Sequence, residues 1–153
     1  RLFEDVPKDM VAIFLSGPLR FVTVASPDYL ASRTPIQHPQ DVVQHICLRQ
    51  RLPSGKRYHW EYQQGEQRFA LDVPGSLTLD SGALMAEAAA AGLGVAYVPE
   101  RYAQHWLNTQ RLVTLLDDWT IASQGIALYF SHNRHMPVAL RLFVDIIKAT
   151  TRV

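Results

Sequence analysis

LTLDSGALMAEAAAAGLGVAYVPE, Leu77 to Glu100, reads in order as a strand, a polar turn, a short helix, a glycine stop and a second strand. Asp80 and Ser81 are both N-cap residue types. A side-chain oxygen at that position accepts a hydrogen bond from one of the backbone N–H groups that open a helix without an intrahelical partner. Ala83 to Ala91 consists mostly of Ala, with Glu and Met, all strong helix formers, and Leu84 and Met85 are expected on the inward stripe. Gly92 and Gly94 supply the backbone freedom that ends a helix, and Val95 to Val98 follows as a buried strand. A helix that starts just after a strand presents free N–H groups and a partial positive charge, which suits a carboxylate or another anion. An ordinary capped helix of an α/β fold leaves the same trace, so this stretch alone leaves both readings open.

The flanking sequence supplies the remaining elements. Met10 to Leu15 and Leu19 to Ala25 are apolar, β-branched-rich runs separated by the turn residues Ser16, Gly17 and Pro18, and read as strands. Ser26 and Pro27 open a helical turn as cap and first helical residue, and His38 to Val42 opens another that runs to about His45. HICLRQ returns as a strand. Tyr58 to Gln63 and Arg68 to Val73 flank the polar turn Gln64-Gly65-Glu66, a hairpin signal. Because alternate strand residues point to opposite faces, at least one of Tyr58, Trp60 and Tyr62 is expected to face outward or meet another surface. Pro99 and Glu100 start a helix to about Leu107, and Arg111 to Leu116 and Ile126 to Ser131 are strands. Pro137 begins a last helix in which Val138, Leu142, Phe143, Ile146 and Ile147 recur at spacings of three and four, the stripe of a helix packed on a sheet.

Composition removes several function classes. With 153 residues and 48% hydrophobic content the chain has material for one domain or two small lobes. Lys+Arg 15 against Asp+Glu 14 leaves a net charge of +1, too little for the long-range field of a nucleic-acid-binding surface. Cys47 is the one cysteine, so no internal disulfide forms, a buried free thiol is expected, and a reducing, cytoplasmic setting is the simpler inference. No apolar run reaches the ~20 residues of a membrane-spanning helix, so no membrane partner is expected. RLFEDVPKDM carries neither an initiator Met nor a signal-peptide h-region, as expected of a fragment.

Catalytic and metal readings find little support. His132 and His135 in SHNRH have a spacing seen in metal sites, but no Cys, third His or carboxylate stands near them to complete a coordination shell. Ser54 in LPSGK and Ser81 in LDSGA lie beside glycines yet outside the glycine-x-serine-x-glycine frame of a nucleophile elbow. Gly92-x-Gly94 lacks the third glycine of a dinucleotide loop and follows a helix instead of opening one. No catalytic residue, metal or cofactor is expected, and the six histidines read as surface groups beside polar neighbours.

Three stretches together carry a family resemblance: RLFEDVPKDMVAIFLSGPLRFVTVASPDYL, HPQDVVQHICLR and LDSGALMAEAAAAGLGVAYVPE. In this order they resemble the effector-binding domain of LysR-type transcriptional regulators, over nearly the whole chain. The resemblance implies an α/β, two-lobed fold like type 2 periplasmic binding proteins, with two crossover hinge strands and a small-molecule cleft between the lobes. Residues 1–20 would form part of lobe I, 21–25 the first hinge strand, 26–93 lobe II, 94–98 the second hinge strand and 99–153 the C-terminal part of lobe I. The winged helix-turn-helix, linker helix and first elements of lobe I that precede RLFED in the family are missing, so the first lobe is expected to be incomplete and DNA binding to reside in the missing part.

The implied activity is a switch in which an effector prefers one hinge angle and so alters how paired domains present their DNA-binding heads, in a homodimer or homotetramer. The residues expected at the effector are Leu79, Asp80, Ser81 and Gly82 at the helix opening, Arg49 and Ser54 at the same mouth, and Arg1, Leu2 and Phe3 from lobe I. Arg49 suits a bidentate carboxylate, or equally pairs with Asp80 or stays solvated. Asp80 opposes an anionic ligand unless it is engaged in the cap or by Arg49, so the effector's charge stays open, a carboxylate being one class. Two other classes share the fold: a stand-alone solute-binding protein, and an enzyme of the porphobilinogen-deaminase-like or prephenate-dehydratase-like kind. The latter would need Cys47 or a Thr exposed and reactive.

Overall fold

The computed structural model describes residues 10–123, 125–131 and 137–150. Two compact units emerge, Arg20–Ala122 and a smaller one made of Arg1–Leu19 with Ser123–Val153.

In the larger unit, strands β2 (Leu19–Ala25), β3 (Cys47–Gln50), β6 (Thr78–Leu79), β7 (Val95–Pro99) and β8 (Val113–Leu115) form a sheet of order β6-β3-β7-β2-β8. β3 runs parallel to β6 and to β7, with Arg49 opposite Thr78 and Cys47 opposite Val95, whereas β2 is antiparallel to β7 and β8. The central strands are buried on both faces, which explains their unbroken apolar runs. Helices α1 (Pro27–Ala31), α2 (Gly82–Ala90) and α3 (Glu100–Asn108) complete the unit with a short 3-10 helix over Pro39–Gln44. Ser26 caps α1 by accepting from Tyr29 N–H at 3.1 Å, with Pro27 in the first turn. At the 3-10 helix His38 and Asp41 form a reciprocal capping box in which Asp41 accepts the His38 N–H at 2.8 Å.

The side chains of α2 that enter the core are small. Ala86, Ala89 and Ala90 let the helix approach Leu48, Ala96 and Val98 closely, and Met85 fills the remaining space. Gly82, Met85, Ala86 and Ala89 define this inward arc by their spacings of three and four, so Leu84, expected inward, is 50% exposed. Gly92 (φ +80°) stops the helix, and at Gly94 (φ +154°) a Cβ would overlap the Ile46 carbonyl that receives the Val95 N–H. β7, expected as a hinge at 94–98, lies between β3 and β2 inside this sheet, and α3 packs on α2. The compact unit runs past Val98 to Ala122, and Ala103 of α3 and Leu112, just before β8, join the same core.

β4 (Trp60–Gln64) and β5 (Gln67–Leu71) form the expected hairpin, turned at Gly65 (φ +56°). The outward aromatic does not occur: Trp60 and Tyr62 are buried and Tyr58 is half-buried. Their numbers differ by two, so all three share one face, and all three rings meet Tyr97 with centroids 5.5–6.3 Å apart. Tyr97 donates to the Glu61 carbonyl at 2.7 Å, and the Tyr62 and Thr23 hydroxyls bond at 2.8 Å.

In the smaller unit β1 (Met10–Phe14) pairs antiparallel with β10 (Ala127–Ser131), while β9 (Ala122–Ser123) falls at the boundary between the units. The Leu15 N–H donates to the Ile126 carbonyl at 2.7 Å and the Ile126 N–H to the Ser16 hydroxyl at 2.9 Å. α4 (Val138–Thr150) buries Val144, but the stripe expected to pack on a sheet does not: Val138, Leu142, Phe143 and Ile146 are 51–74% exposed. His132 and His135 lie outside the described residues.

Candidate functional site

Of the expected site residues in the larger unit, Arg49 lies in β3, Leu79 in β6, and Asp80, Ser81 and Gly82 form the turn into α2 and its first residue. Parallel strands deliver their chain ends to one edge of a sheet, and a following helix aims its free N–H groups at that edge. Arg49 is locked in the ladder: its N–H donates to the Leu77 carbonyl at 3.0 Å and the Arg51 N–H to Leu79 at 2.8 Å. The half-buried guanidinium donates through Nε to the Thr78 hydroxyl at 3.1 Å. Among the described residues no carboxylate pairs with Arg49, so its terminal nitrogens remain available to a planar anion. Gly75 lets the incoming chain lie against the β3 backbone, where a Cβ would overlap the Cys47 carbonyl and touch Arg49 Cγ at 3.6 Å.

Ser81, not Asp80, is the N-cap of α2, its hydroxyl accepting the Leu84 N–H at 3.4 Å. Asp80 is exposed and makes neither the cap bond nor an ion pair with Arg49, so neither arrangement that would neutralise its charge is present. Gly82 is buried because the half-buried Tyr102 ring of α3 lies across it; a Cβ there would stand 2.8 Å from Cδ2. Arg101 fixes that ring, donating to the Tyr102 hydroxyl at 2.8 Å and stacking 4.6 Å from the ring centroid. Tyr102 is thus a wall of the α2 start that its place in the sequence, twenty residues on, did not signal.

Leu79 is half-buried opposite Gln50. Ser54 is exposed in a turn where Leu52 N–H donates to the Lys56 carbonyl at 2.8 Å, and among the described residues no hydrogen bond ties its hydroxyl to the other expected site residues. Arg1, Leu2 and Phe3 lie outside the described residues.

Two titratable groups lie in the framework behind the site. Cys47 is buried at the start of β3 with Sγ 3.2 Å from the Val42 carbonyl, and burial pushes its thiol up to about 12. His45, expected at the surface, is buried against Tyr29. The Tyr29 hydroxyl accepts the Ile46 N–H at 3.0 Å and so offers its own proton to His45 Nδ1 at 3.3 Å, an arrangement that fits a neutral ring. Burial holds the His45 pKa below its ordinary value; a hydrogen bond to the Thr34 backbone opposes it, and weaker effects of Arg33, lowering, and Asp41, raising, follow. Among the described residues no group of three His, Cys, Asp or Glu side chains could hold a metal ion, and no helix is long and apolar enough to cross a membrane.

Residues 5–152 match the LysR substrate binding domain. The chain belongs to the LysR substrate-binding domain family. It is 32% identical over 148 residues to the HTH-type transcriptional regulator YcaN of Escherichia coli, covering 97% of this chain and 48% of that protein. To the E. coli HTH-type transcriptional regulator PgrR it is 31% identical over 149 residues, covering 97% and 50%. The chain spans about half the length of these curated relatives. Among solved structures, the regulatory domain of AphB in Vibrio vulnificus aligns with a TM-score of 0.76 at 22% identity, covering 98% of this chain and 73% of that one. The regulatory domain of CrgA from Neisseria meningitidis aligns at 0.70 and 21%, covering 99% and 73%. The fold is accordingly the α/β fold of LysR-type regulatory domains, of the type 2 periplasmic-binding-protein kind. The relatives are transcriptional regulators, not enzymes.

Proposed function

We propose that this LysR-type regulatory domain senses a small molecule at the start of α2, where Arg49 and the Ser81-Gly82 turn converge with Leu79, and that the ligand is an anion such as a carboxylate. The observation that carries the reading is Arg49: its N–H donates to the Leu77 carbonyl and its Nε to the Thr78 hydroxyl, while among the described residues its terminal nitrogens meet no acceptor. A preorganised guanidinium beside helix N–H groups binds a carboxylate in two places at little further ordering cost. Asp80 opposes a second negative charge, which favours ligands with one carboxylate and a neutral or donor-bearing remainder. Arg1, Leu2, Phe3 and Ser54 are further contacts under this proposal.

Occupancy biases a conformational equilibrium that a winged helix-turn-helix elsewhere in the cytoplasmic regulator reads as altered DNA binding, in a homodimer or homotetramer. A few kcal/mol of differential affinity is enough for such a shift. The test is a thermal-shift and calorimetric screen of aliphatic and aromatic monocarboxylates, amino acids and sugars, repeated on Arg49→Ala and Ser81→Ala, with Arg68→Ala on the hairpin as control. A stabilising monocarboxylate should bind Arg49→Ala about 10- to 100-fold more weakly, the loss of a charged hydrogen-bonded pair, and Arg68→Ala unchanged. A ligand whose affinity ignores Arg49, or a folded protein that takes none of these compounds, overturns the reading.

A further inference from the structure

The short turn after β3 brings two arginines into the closest position that a pair of strands offers. Arg51 and Arg57 stand opposite each other in an antiparallel bridge. The Leu52 N–H donates to the Lys56 carbonyl and the Tyr58 N–H to the Gln50 carbonyl, both at 2.8 Å, so the bonds flank the two arginines, which form a non-hydrogen-bonded pair. In such a pair the Cα atoms are about 4.5 Å apart and the side chains leave from one face. The turn between them is tight, the N–H of Gly55 (φ +83°) donating to the Leu52 carbonyl at 2.8 Å. On its other side the Arg51 N–H is tied to the Leu79 carbonyl. Both arginines are exposed, and among the described residues one carboxylate serves them: Asp72 accepts from Arg57 at 2.6 Å in an ion pair open to solvent. Arg51 meets no acidic side chain among the described residues, and Asp80, next to Leu79, makes no ion pair with it. Like charges placed directly across two strands are destabilising, so the turn holds a repulsion that an anion would relieve.

We propose that Arg51 and Arg57 together form an oxyanion site for a phosphate group, carried by inorganic phosphate or by a small phosphomonoester. A carboxylate is planar, has one charge and is matched by one guanidinium fork, whereas a phosphate dianion spreads its charge over several oxygens and accepts from two forks at once. The backbone of both arginines is already fixed by the bridge and the turn, so binding orders only their side chains. Asp72 competes with the ligand. Its exposed ion pair contributes little, and a phosphate held by both guanidiniums takes its place on Arg57. The displaced carboxylate then opposes the bound anion, so removing the Asp72 charge strengthens binding. Arg49 lies two residues before Arg51 on the same face of the strand, about 7 Å away and outside the pair. The phosphate site does not depend on the ligand proposed at Arg49, and either can fail alone.

The experiment titrates the protein with inorganic phosphate and with glycerol 3-phosphate at pH 8 and low ionic strength, by calorimetry and thermal shift, against sodium chloride at matched ionic strength. Saturable binding is expected. It should weaken about 10- to 100-fold in Arg51→Gln and in Arg57→Gln, each of which removes a charged hydrogen-bonding partner. It should tighten about two- to fivefold in Asp72→Asn and stay within about threefold in Arg49→Ala and in Arg68→Gln on the hairpin. Without phosphate, Arg51→Gln should melt no lower than wild type because the cross-strand repulsion is gone, which separates a lost site from lost folding. Tighter binding of the ester would support the site with an organic phosphate as its ligand, and comparable affinities would support it with free phosphate. Absence of saturable binding, binding that survives Arg51→Gln, weaker binding in Asp72→Asn, or an equal loss in Arg49→Ala and Arg68→Gln would each overturn the proposal, the last by reducing it to general charge attraction.

Discussion

Gly82→Ala tests whether Tyr102 sets the position of the α2 start. The added Cβ would stand 2.8 Å from Cδ2 and 3.0 Å from Cε2 of a ring that Arg101 holds at its hydroxyl. Ordinary contact lies near 3.5 Å or beyond, so ring or helix must give by more than half an ångström. Inserting a methyl into a packed site of this kind costs about 1–3 kcal/mol, offset by at most about 1 kcal/mol for replacing Gly in a helix, less at its first residue. The net expectation is a loss of about 1–2 kcal/mol, or roughly 2–8 °C in Tm for a protein of this size. The assay is a double-mutant cycle by urea unfolding over wild type, Gly82→Ala, Tyr102→Ala and the double variant. Removing the ring alone forfeits its packing, but in its absence the alanine methyl meets nothing, so the double variant should be more stable than the sum of the singles by at least about 1 kcal/mol. Additivity within about 0.5 kcal/mol would refute the contact, and with it Tyr102 as the wall of the site. Loss of ligand affinity in Gly82→Ala, restored in the double variant, would extend the same contact to function.

Other expectations follow from the framework. His45 titrates below its ordinary 6.5 because burial disfavours the charged ring, so the unfolded chain binds the extra proton first. Its contribution is intact above pH ~6.5 and lost as pH falls toward the lower folded value; urea midpoints between pH 5 and 8 should decline on the acid side, and less so in His45→Phe. Asp41 is held below 3.8 chiefly by the Gln37 and His38 N–H groups, so its stabilisation is present above pH ~3.8 and lost as pH falls further; Asp41→Asn should flatten that lower limb. Cys47, with its thiol raised to about 12, should resist a thiol reagent at pH 8 in the native state and react at once in urea; rapid native labelling would contradict its burial. Tyr62→Phe should cost about 1 kcal/mol in urea unfolding by leaving the buried Thr23 hydroxyl without its 2.8 Å partner, whereas Tyr58→Phe, whose hydroxyl bonds to nothing among the described residues, should cost markedly less.

Local chemistry was legible in the sequence where a single residue type does one physical job. Ser26 and Ser81 cap their helices, Pro27 and Pro39 occupy first turns, Gly92 stops α2, and Gly65 turns the hairpin, all within a residue or two of expectation. Position on a face was less secure. Leu84 is apolar but off the inward arc that Met85, Ala86 and Ala89 define, and small alanines proved the better markers of a buried helix surface than the larger leucine. The hairpin aromatics were misassigned by ignoring parity, since residues 58, 60 and 62 share a face whatever lies opposite, and their common partner Tyr97 belongs to a strand whose uniform burial hides any alternation.

The candidate site divides along the same line. Arg49 and Ser81 were legible because a cation at a strand end and a hydroxyl before a helix each have a local rationale, and Arg49 meets Thr78 only through β-sheet register, which fixes residue 49 opposite residue 78. Tyr102 was not legible: its contact with Gly82 depends on how α3 packs on α2, and a glycine at the first turn of a helix gives no hint of which ring lies across it. The extent of the larger unit follows the same rule: Ala103 and Leu112, beyond β7, join its core, and a residue's own sequence neighbourhood does not say which sheet its apolar side chain will join. The α4 stripe makes the converse point: its periodicity identified a helix with an apolar face correctly, while the exposure of Ile146 and Val138 depends on how many surfaces are present to cover that face. Periodicity encodes a demand for burial and does not name the surface that meets it.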